Sequence, residues 1–151
     1  MREILFRGKR VDNGKWVEGE LLHDMKSRPW IYWTTPKELP VFFSRNAIVN
    51  PETIGQYTGL TDRNGKKIFE GDILQGYQYP YLSEGHFNYY AEVVYFENCP
   101  AFGIYTFKNP NLNVVRGISA GNMDLMEDWE SKNWEIIGNI YDNPELLEDE
   151  E

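Results

Sequence analysis

The sequence predicts a mainly β protein built from antiparallel hairpins, with one or two short helices. Aromatic residues make up 15% of the 151 residues, and together with Val and Ile they favour strands over helices. Two Asn-Gly pairs, Asn13-Gly14 and Asn64-Gly65, lie between apolar segments, which is the strongest short-range signal for a hairpin turn. Most other apolar segments are short and end at Gly, Pro or Asn, as strands do.

The N-terminal part of the chain is predicted to hold one hairpin and one further strand. Residues 4–6 form a short strand candidate, and residues 16–22 continue the hairpin that turns at Asn13-Gly14. The bulky segment Trp30–Trp33 predicts a strand whose side chains alternate between a buried face and an exposed one. Residues 34–46 contain two prolines and are expected to form mainly a loop.

The central stretch, residues 54–73, has the densest run of turn residues. Asn64-Gly65 suits a type I′ turn, which requires a positive φ at both residues. Gly71, between two acidic residues, predicts a bulge or close backbone approach that bends the strand. The N-terminal hairpin has a similar Glu-Gly-acid sequence at residues 18–20, which we interpret as a second corner of the same design. The pattern leaves open a duplicated unit or chance reuse of turn residues.

Two strands are clear in the second half of the chain, at residues 91–96 and 101–107, and they predict an antiparallel hairpin. The segment before them, residues 75–90, is rich in tyrosine and has no helical period. We therefore predict a long, aromatic-rich hairpin loop there, and loops of that length are often functional.

The C-terminal part carries the two helix candidates. Residues 122–129 place apolar side chains among acids and predict at best a short amphipathic helix. Residues 134–141 predict a strand. Asn143 before Pro144 fits an N-cap and a first helical position, so one closing helical turn is expected at residues 144–147.

Charge is unevenly spread along the chain. The formal net charge is −9, with 12 basic and 8 acidic residues in 1–67 but 3 basic and 16 acidic residues in 68–151. We expect one domain over residues 1–147 and a solubilising acidic tail at 148–151. The overall sign argues against non-specific nucleic-acid binding by the whole surface.

Cysteine and hydropathy indicate the compartment. The single Cys99 excludes an internal disulfide and a multi-cysteine metal site, and it favours a reducing environment. No segment approaches the roughly 20 apolar residues of a membrane-spanning helix, and residues 1–7 lack the apolar core of a signal peptide. A cytoplasmic protein without membrane contact is expected.

Candidate catalytic chemistry is sparse. Four carboxylates at the two Glu-Gly-acid sequences, Glu18, Glu20, Glu70 and Asp72, would form a metal-dependent hydrolase site if the two hairpins came together. The alternative is that these acids keep strand edges soluble. The two histidines, His23 and His86, have no local spacing typical of a nucleophile or zinc site, and no phosphate loop is present. We therefore expect no enzyme activity and no cofactor.

A basic surface offers an alternative function. Cations beside tyrosine-rich segments are typical of single-stranded nucleic-acid binding, in which bases stack on aromatic rings. The residues that would carry it are Arg7, Lys9, Arg10, Lys66 and Lys67. The excess of acidic residues in the second half of the chain argues against this function.

With these residues laid out, the chain resembles the YopX family of small phage and prophage proteins. Three segments carry the resemblance, at Arg2–Arg7, Gln56–Ile73 and Trp134–Leu146, in order along almost the whole chain. The resemblance implies a compact, mainly β, barrel-like domain in a phage or prophage context that self-associates. It implies no established activity and no catalytic residues.

The leading hypothesis is a non-enzymatic accessory protein that acts by protein–protein contact, with itself or with an unknown host or phage protein. Interfaces are enriched in aromatic residues, and this chain has many of them and no reactive constellation. The candidate partner-binding residues are Trp30, Trp33, Tyr77, Tyr79, Tyr81 and Tyr89.

Overall fold

The computed structural model describes residues 3–34, 44–78, 87–97, 101–108, 122–126 and 133–147. The chain divides into two compact units, Met1–Gly59 and Leu60–Glu151. The described strands form two antiparallel sheets and the described helices are two short 3₁₀ segments, so the mainly β prediction is confirmed. Neither sheet closes on itself among the described residues. No helix in the described ranges is long and apolar enough to cross a membrane.

The first sheet has six strands in the order β4-β3-β2-β1-β5-β6. A 3₁₀ turn at Pro51–Thr53 precedes β5. The strand bounds are β1 Phe6–Lys9, β2 Trp16–His23, β3 Pro29–Thr34, β4 Ser44–Ile48, β5 Gly55–Thr61 and β6 Lys67–Phe69.

The core of the first unit lies on one face of this sheet. Ile31 and Val49 are fully buried, and Ala47 and Tyr57 nearly so. Gly8 belongs to this face, because a Cβ there would stand 3.0 Å from the Cβ of Val49. A glycine on β1 therefore lets the neighbouring aliphatic side chains pack directly on the strand.

The second sheet has five strands in the order β10-β9-β8-β7-β11. A 3₁₀ turn at Pro144–Leu147 follows the last strand, as predicted. The strand bounds are β7 Asp72–Gln78, β8 Phe87–Phe96, β9 Ala101–Lys108, β10 Asn122–Leu125 and β11 Glu135–Asn139. The core of the second unit consists of Ile68, Leu74, Ala91, Val93, Ile104 and Trp134.

The central hairpin turns differently from the type I′ prediction. Only Gly65 has a positive φ, of 80°, so Asn64 does not adopt the conformation that type I′ requires. The Gly65 N–H donates to the carbonyl of Asp62, and the Asp62 N–H donates to the carbonyl of Lys66. The result is a three-residue loop with glycine in the left-handed position, the next most common hairpin connection.

Gly71 makes the predicted bend. Its φ is 91°, its N–H donates to the carbonyl of Val93, and its own carbonyl accepts from the N–H of Ile140. The buried carboxylate of Asp72 accepts from the Phe69 N–H at 2.8 Å. This corner separates β6 from β7 and directs them into different sheets.

The N-terminal hairpin lacks the second corner that its sequence suggested. Gly19 lies inside the continuous strand β2 and does not have a positive φ. Glycine is required there because a Cβ would overlap the carbonyl oxygen of Tyr32. The two Glu-Gly-acid sequences therefore serve different structural purposes.

Four other element predictions need correction. The helix predicted over residues 122–129 is wrong for its described part, because Asn122–Leu125 is a strand paired with β9. The loop predicted over residues 75–90 is shorter, because β7 continues to Gln78 and β8 begins at Phe87. Strand β1 begins where the predicted strand at residues 4–6 ends, and β4 occupies the end of the predicted 34–46 loop.

Candidate interaction groove

A groove on the first unit forms where the strands of its sheet differ in length. Strand β1 begins at Phe6, which pairs with Gly19, whereas β2 continues beyond Gly19 and pairs there only with β3 among the described strands. The segment Glu3–Leu5 borders the gap. The resulting cavity has a volume of about 580 Å³, and its lining residues are Glu3, Ile4, Leu5, Glu18, Gly19, Glu20, Leu22, Tyr32 and Trp33.

The apolar part of the groove is unusually accessible for aliphatic side chains. Ile4 is 65% exposed and Leu22 is 52% exposed, while Tyr32 and Trp33 are half-buried. Such a concave surface with aromatic and aliphatic walls is typical of sites that bind another molecule. The geometry therefore identifies the candidate site on the first unit.

Charge in the groove comes from carboxylates. Glu3, Glu18 and Glu20 belong to its lining, and none of the described lining residues is Lys or Arg. Glu20 is the register partner of Tyr32 on β3, so a carboxylate and an aromatic ring leave the sheet at neighbouring positions. The groove therefore places carboxylates beside aromatic rings.

The two tryptophans predicted to bind a partner have different surroundings. Trp33 lines the groove. Trp30 does not, and its indole N–H donates to the Asp24 carboxylate at 2.9 Å, beside the Arg28 guanidinium at 2.7 Å. The Trp30 and Arg28 donors lower the pKa of Asp24 well below its ordinary value. Trp30 is thus part of a polar network that closes the β2–β3 hairpin.

The predicted tyrosines belong to the second unit. Tyr77 is on β7 and Tyr89 on β8, where Gly76 pairs with Tyr89 and Tyr77 pairs with Asn88. Tyr79 and Tyr81 lie outside the described residues.

The predicted basic residues split between the units. In the first unit, the Arg7 guanidinium carbon stands 4.7 Å from the ring centroid of Trp16, and the Lys9 ammonium stands 5.5 Å from it. Arg10 forms an exposed ion pair with Asp12 at 2.6 Å. Lys66 and Lys67 belong to the second unit, where both are exposed at the β5–β6 hairpin.

The four carboxylates of the hydrolase alternative also split between the units. Glu18 and Glu20 belong to the first unit, whereas Glu70 and Asp72 belong to the second. Within the described ranges, no group of three or more His, Cys, Asp or Glu side chains is arranged to hold a metal ion. His23 is exposed at the end of β2, and His86 lies outside the described residues.

A second, smaller cavity lies on the second unit. Its volume is about 310 Å³, and acidic and aromatic residues line it, among them Glu70, Glu92, Glu97, Tyr95 and Tyr141. Burial raises the pKa of Glu92.

Sequence reasoning found only part of the groove. Trp33 is a predicted partner-binding residue, but Ile4 and Leu22 are predicted only as strand residues, and Glu18 and Glu20 only as acids of a soluble strand edge or, in the alternative, of a metal site. The missing signal is the length mismatch between β1 and β2, which brings residues 3–5 beside residues 18–22. The local sequence does not indicate where one strand extends beyond the end of the neighbouring strand.

Comparisons with known proteins identify a family and a similar structure. The family model described as YopX protein matches residues 5–148. The crystal structure of protein EF1440 from Enterococcus faecalis is similar to this chain, with 25% sequence identity and a TM-score of 0.50. That match covers 98% of this chain and 100% of the other. No curated protein matches the chain.

Proposed function

The chain belongs to the YopX family, and we propose on that basis that it is a non-enzymatic phage or prophage accessory protein that acts by protein–protein contact. It works in the cytoplasm of the bacterial host, self-associates, and needs no cofactor. The barrel-like closure that the family resemblance implies is part of the same proposal.

The observation that supports contact with another protein is the groove of the first unit. Ile4 and Leu22 expose aliphatic surface, and Tyr32 and Trp33 offer aromatic surface at the same place. Protein interfaces favour aromatic anchors that fill or line a pocket, with polar groups around them. We assign the groove as the contact surface on this ground.

Substitutions at the groove test this function. Trp33→Ala and Leu22→Ser remove apolar lining, whereas Tyr95→Ala removes an exposed aromatic ring of the second unit and serves as the control. The readouts are molar mass by light scattering at low and high salt, and capture of host proteins on immobilised full-length protein. We expect both groove variants to lose association or a captured protein that the control retains. Unchanged behaviour in both readouts would refute the groove as the contact surface.

The tyrosine-rich region is a further contact candidate with its own test. Alanine substitution of Tyr77, Tyr89, Tyr79 and Tyr81 should weaken the same association if these residues contribute. If the groove variants lose association and the tyrosine variants do not, the contact is confined to the first unit.

Binding of single-stranded nucleic acid is the second candidate, because two cations flank one indole ring. Arg7 and Lys9 both stand over Trp16, the combination of cation and aromatic face that such proteins use. The test is anisotropy of a labelled oligonucleotide against salt, with Lys9→Gln, Arg10→Gln and Lys66→Gln compared with the unchanged protein. Binding that weakens steeply with salt and with these substitutions supports this function, and salt-independent or absent binding ends it.

A further inference from the structure

The groove of the first unit combines negative charge with apolar surface, and this combination selects a partner. We propose that the groove receives a cationic segment of a partner polypeptide, one in which Lys or Arg stands next to an aliphatic side chain. The inference rests on the proposed function, since it assumes that the groove is the contact surface, and it adds the chemistry of what binds there.

The carboxylates of the groove are complementary in charge to a cationic segment. Three carboxylates line the groove, and none of its described lining residues carries a positive charge. Glu18 has the cation Arg7 as its register partner on β1, whereas Glu20 has Tyr32 as its register partner on β3. An incoming ammonium or guanidinium group would therefore meet carboxylates at the groove, whereas an acidic segment would be repelled.

The aromatic surface of the groove also suits a cationic segment. Tyr32 and Trp33 line the groove beside the carboxylates, and cations are attracted to the faces of such rings. The same sheet already packs cations in this way, because Arg7 and Lys9 stand over Trp16. Lys and Arg have long apolar stems that can lie along an aromatic ring while the charged group reaches a carboxylate.

Exposed aliphatic side chains explain why the occupant must also be apolar in part. Ile4 at 65% exposure and Leu22 at 52% exposure stand at the groove, and contact with an aliphatic side chain would remove both from water. A small hydrated cation would leave them exposed.

Labelled peptides test the proposal on the full-length protein. Three short peptides of equal length share two leucines in a glycine–serine background and differ in carrying two lysines, two glutamines or two glutamates. Anisotropy gives each affinity, and the tryptophan emission of Trp33→Phe against the unchanged protein reports contact at the groove. We expect the lysine peptide to bind at least about tenfold more tightly than the glutamine peptide, and the glutamate peptide least.

A matched pair of variants identifies the charge responsible. Glu20→Gln removes a carboxylate of the groove, and Glu52→Gln removes an exposed carboxylate of the same unit outside it. Both changes are nearly isosteric at exposed sites, so circular dichroism should show both variants folded. We expect Glu20→Gln to weaken lysine-peptide binding several-fold and to reduce its salt dependence, and Glu52→Gln to leave both unchanged.

The outcomes separate this inference from the proposed function. Equal affinity for the lysine and glutamine peptides, or an unchanged affinity in Glu20→Gln, would refute the inference that the occupant is cationic. The groove would still be a contact surface in that case. Self-association that Glu20→Gln abolishes, without binding of any peptide, would overturn it in favour of a second copy of this chain. If no peptide binds and Trp33→Ala changes neither association nor capture, both proposals fail.

Discussion

Replacing Asp62 by alanine should strongly destabilise the second unit. One carboxylate oxygen of Asp62 accepts from the N–H groups of Asn64 and Lys66, both at 2.9 Å, and the other accepts from the N–H of Ile136 at 3.1 Å. Asp62 is buried, with 4% of its surface exposed. A single side chain thus fixes the central turn and ties it to β11.

The expected loss of stability depends on whether water can replace each of the hydrogen bonds that Asp62 accepts. Asn64 and Lys66 are exposed, so water can satisfy their N–H groups and each bond contributes only about 0.5–1.5 kcal/mol. Ile136 is half-buried, and the loss of a carboxylate acceptor there costs about 1.5–3 kcal/mol. We expect the free energy of unfolding to fall by about 3–5 kcal/mol in Asp62→Ala. Asp62→Asn should lose roughly half as much, because one acceptor oxygen remains.

Urea unfolding followed by circular dichroism measures the loss, and amide hydrogen exchange localises it. With a slope of about 2 kcal/mol per molar urea, the unfolding midpoint should fall by about 2 M in Asp62→Ala. The amide of Ile136 should exchange faster in both variants. Asp12→Ala is the control, because its carboxylate pairs with the exposed Arg10 guanidinium, and it should not change the midpoint. Equal midpoints for Asp62→Ala and Asp12→Ala, or unchanged exchange at Ile136, would refute the reasoning.

Three further predictions concern backbone strain and pH. Gly71→Ala should lower the free energy of unfolding by about 2–3 kcal/mol, and Gly59→Ala by about 1–2 kcal/mol. Both glycines have φ near 90°, but only Gly71 has a tyrosine ring 3.0 Å from the added Cβ. Equal urea midpoints for the two variants would contradict this prediction. Because Asp24 has a lowered pKa, its contribution to stability should be complete above the ordinary aspartate pKa of about 3.9 and be lost as pH falls below it. In Asp24→Asn, the stability should no longer fall with protonation of this carboxylate. The fluorescence emission of Trp30 should likewise no longer change over that pH range. Glu92 has a raised pKa, so its ionised form disfavours folding. Glu92→Gln should therefore raise the neutral-pH urea midpoint, with a gain that disappears near pH 4.

Turn residues made much of the fold predictable, because each is favoured by the backbone conformation at its own position. Gly65 and Gly71 have the positive φ values that favour glycine, and the chain turns or bends at both. The predicted β8–β9 hairpin and the closing turn after Asn143 are confirmed for the same reason, since strand ends and helix starts are encoded within a few residues. The type I′ prediction was wrong because the Asp62 carboxylate, rather than Asn64, organises the turn.

Features that depend on distant partners could not be predicted in this way. Residues 122–129 place apolar side chains at spacings that fit a helix or a strand, and pairing of Asn122–Leu125 with β9 decides the outcome. The groove depends on where β1 begins relative to the end of β2, which is a relation between strands. Local sequence therefore predicts Trp33 as a contact residue, but for Glu18 and Glu20 it offers only a soluble strand edge or a metal site.

The two Glu-Gly-acid sequences show why similar residues acquire different functions. In the second unit, Gly71 bends the chain and the neighbouring Asp72 turns inward to accept from the Phe69 N–H, so its carboxylate supports the fold. In the first unit, Gly19 lies in the extended strand β2, where the Tyr32 carbonyl leaves no room for a Cβ, and the neighbouring Glu20 is exposed on the groove. A carboxylate already used by the backbone offers little to a partner. By contrast, a carboxylate on an extended strand beside aromatic rings can attract one, which is why the groove carries the functional proposal.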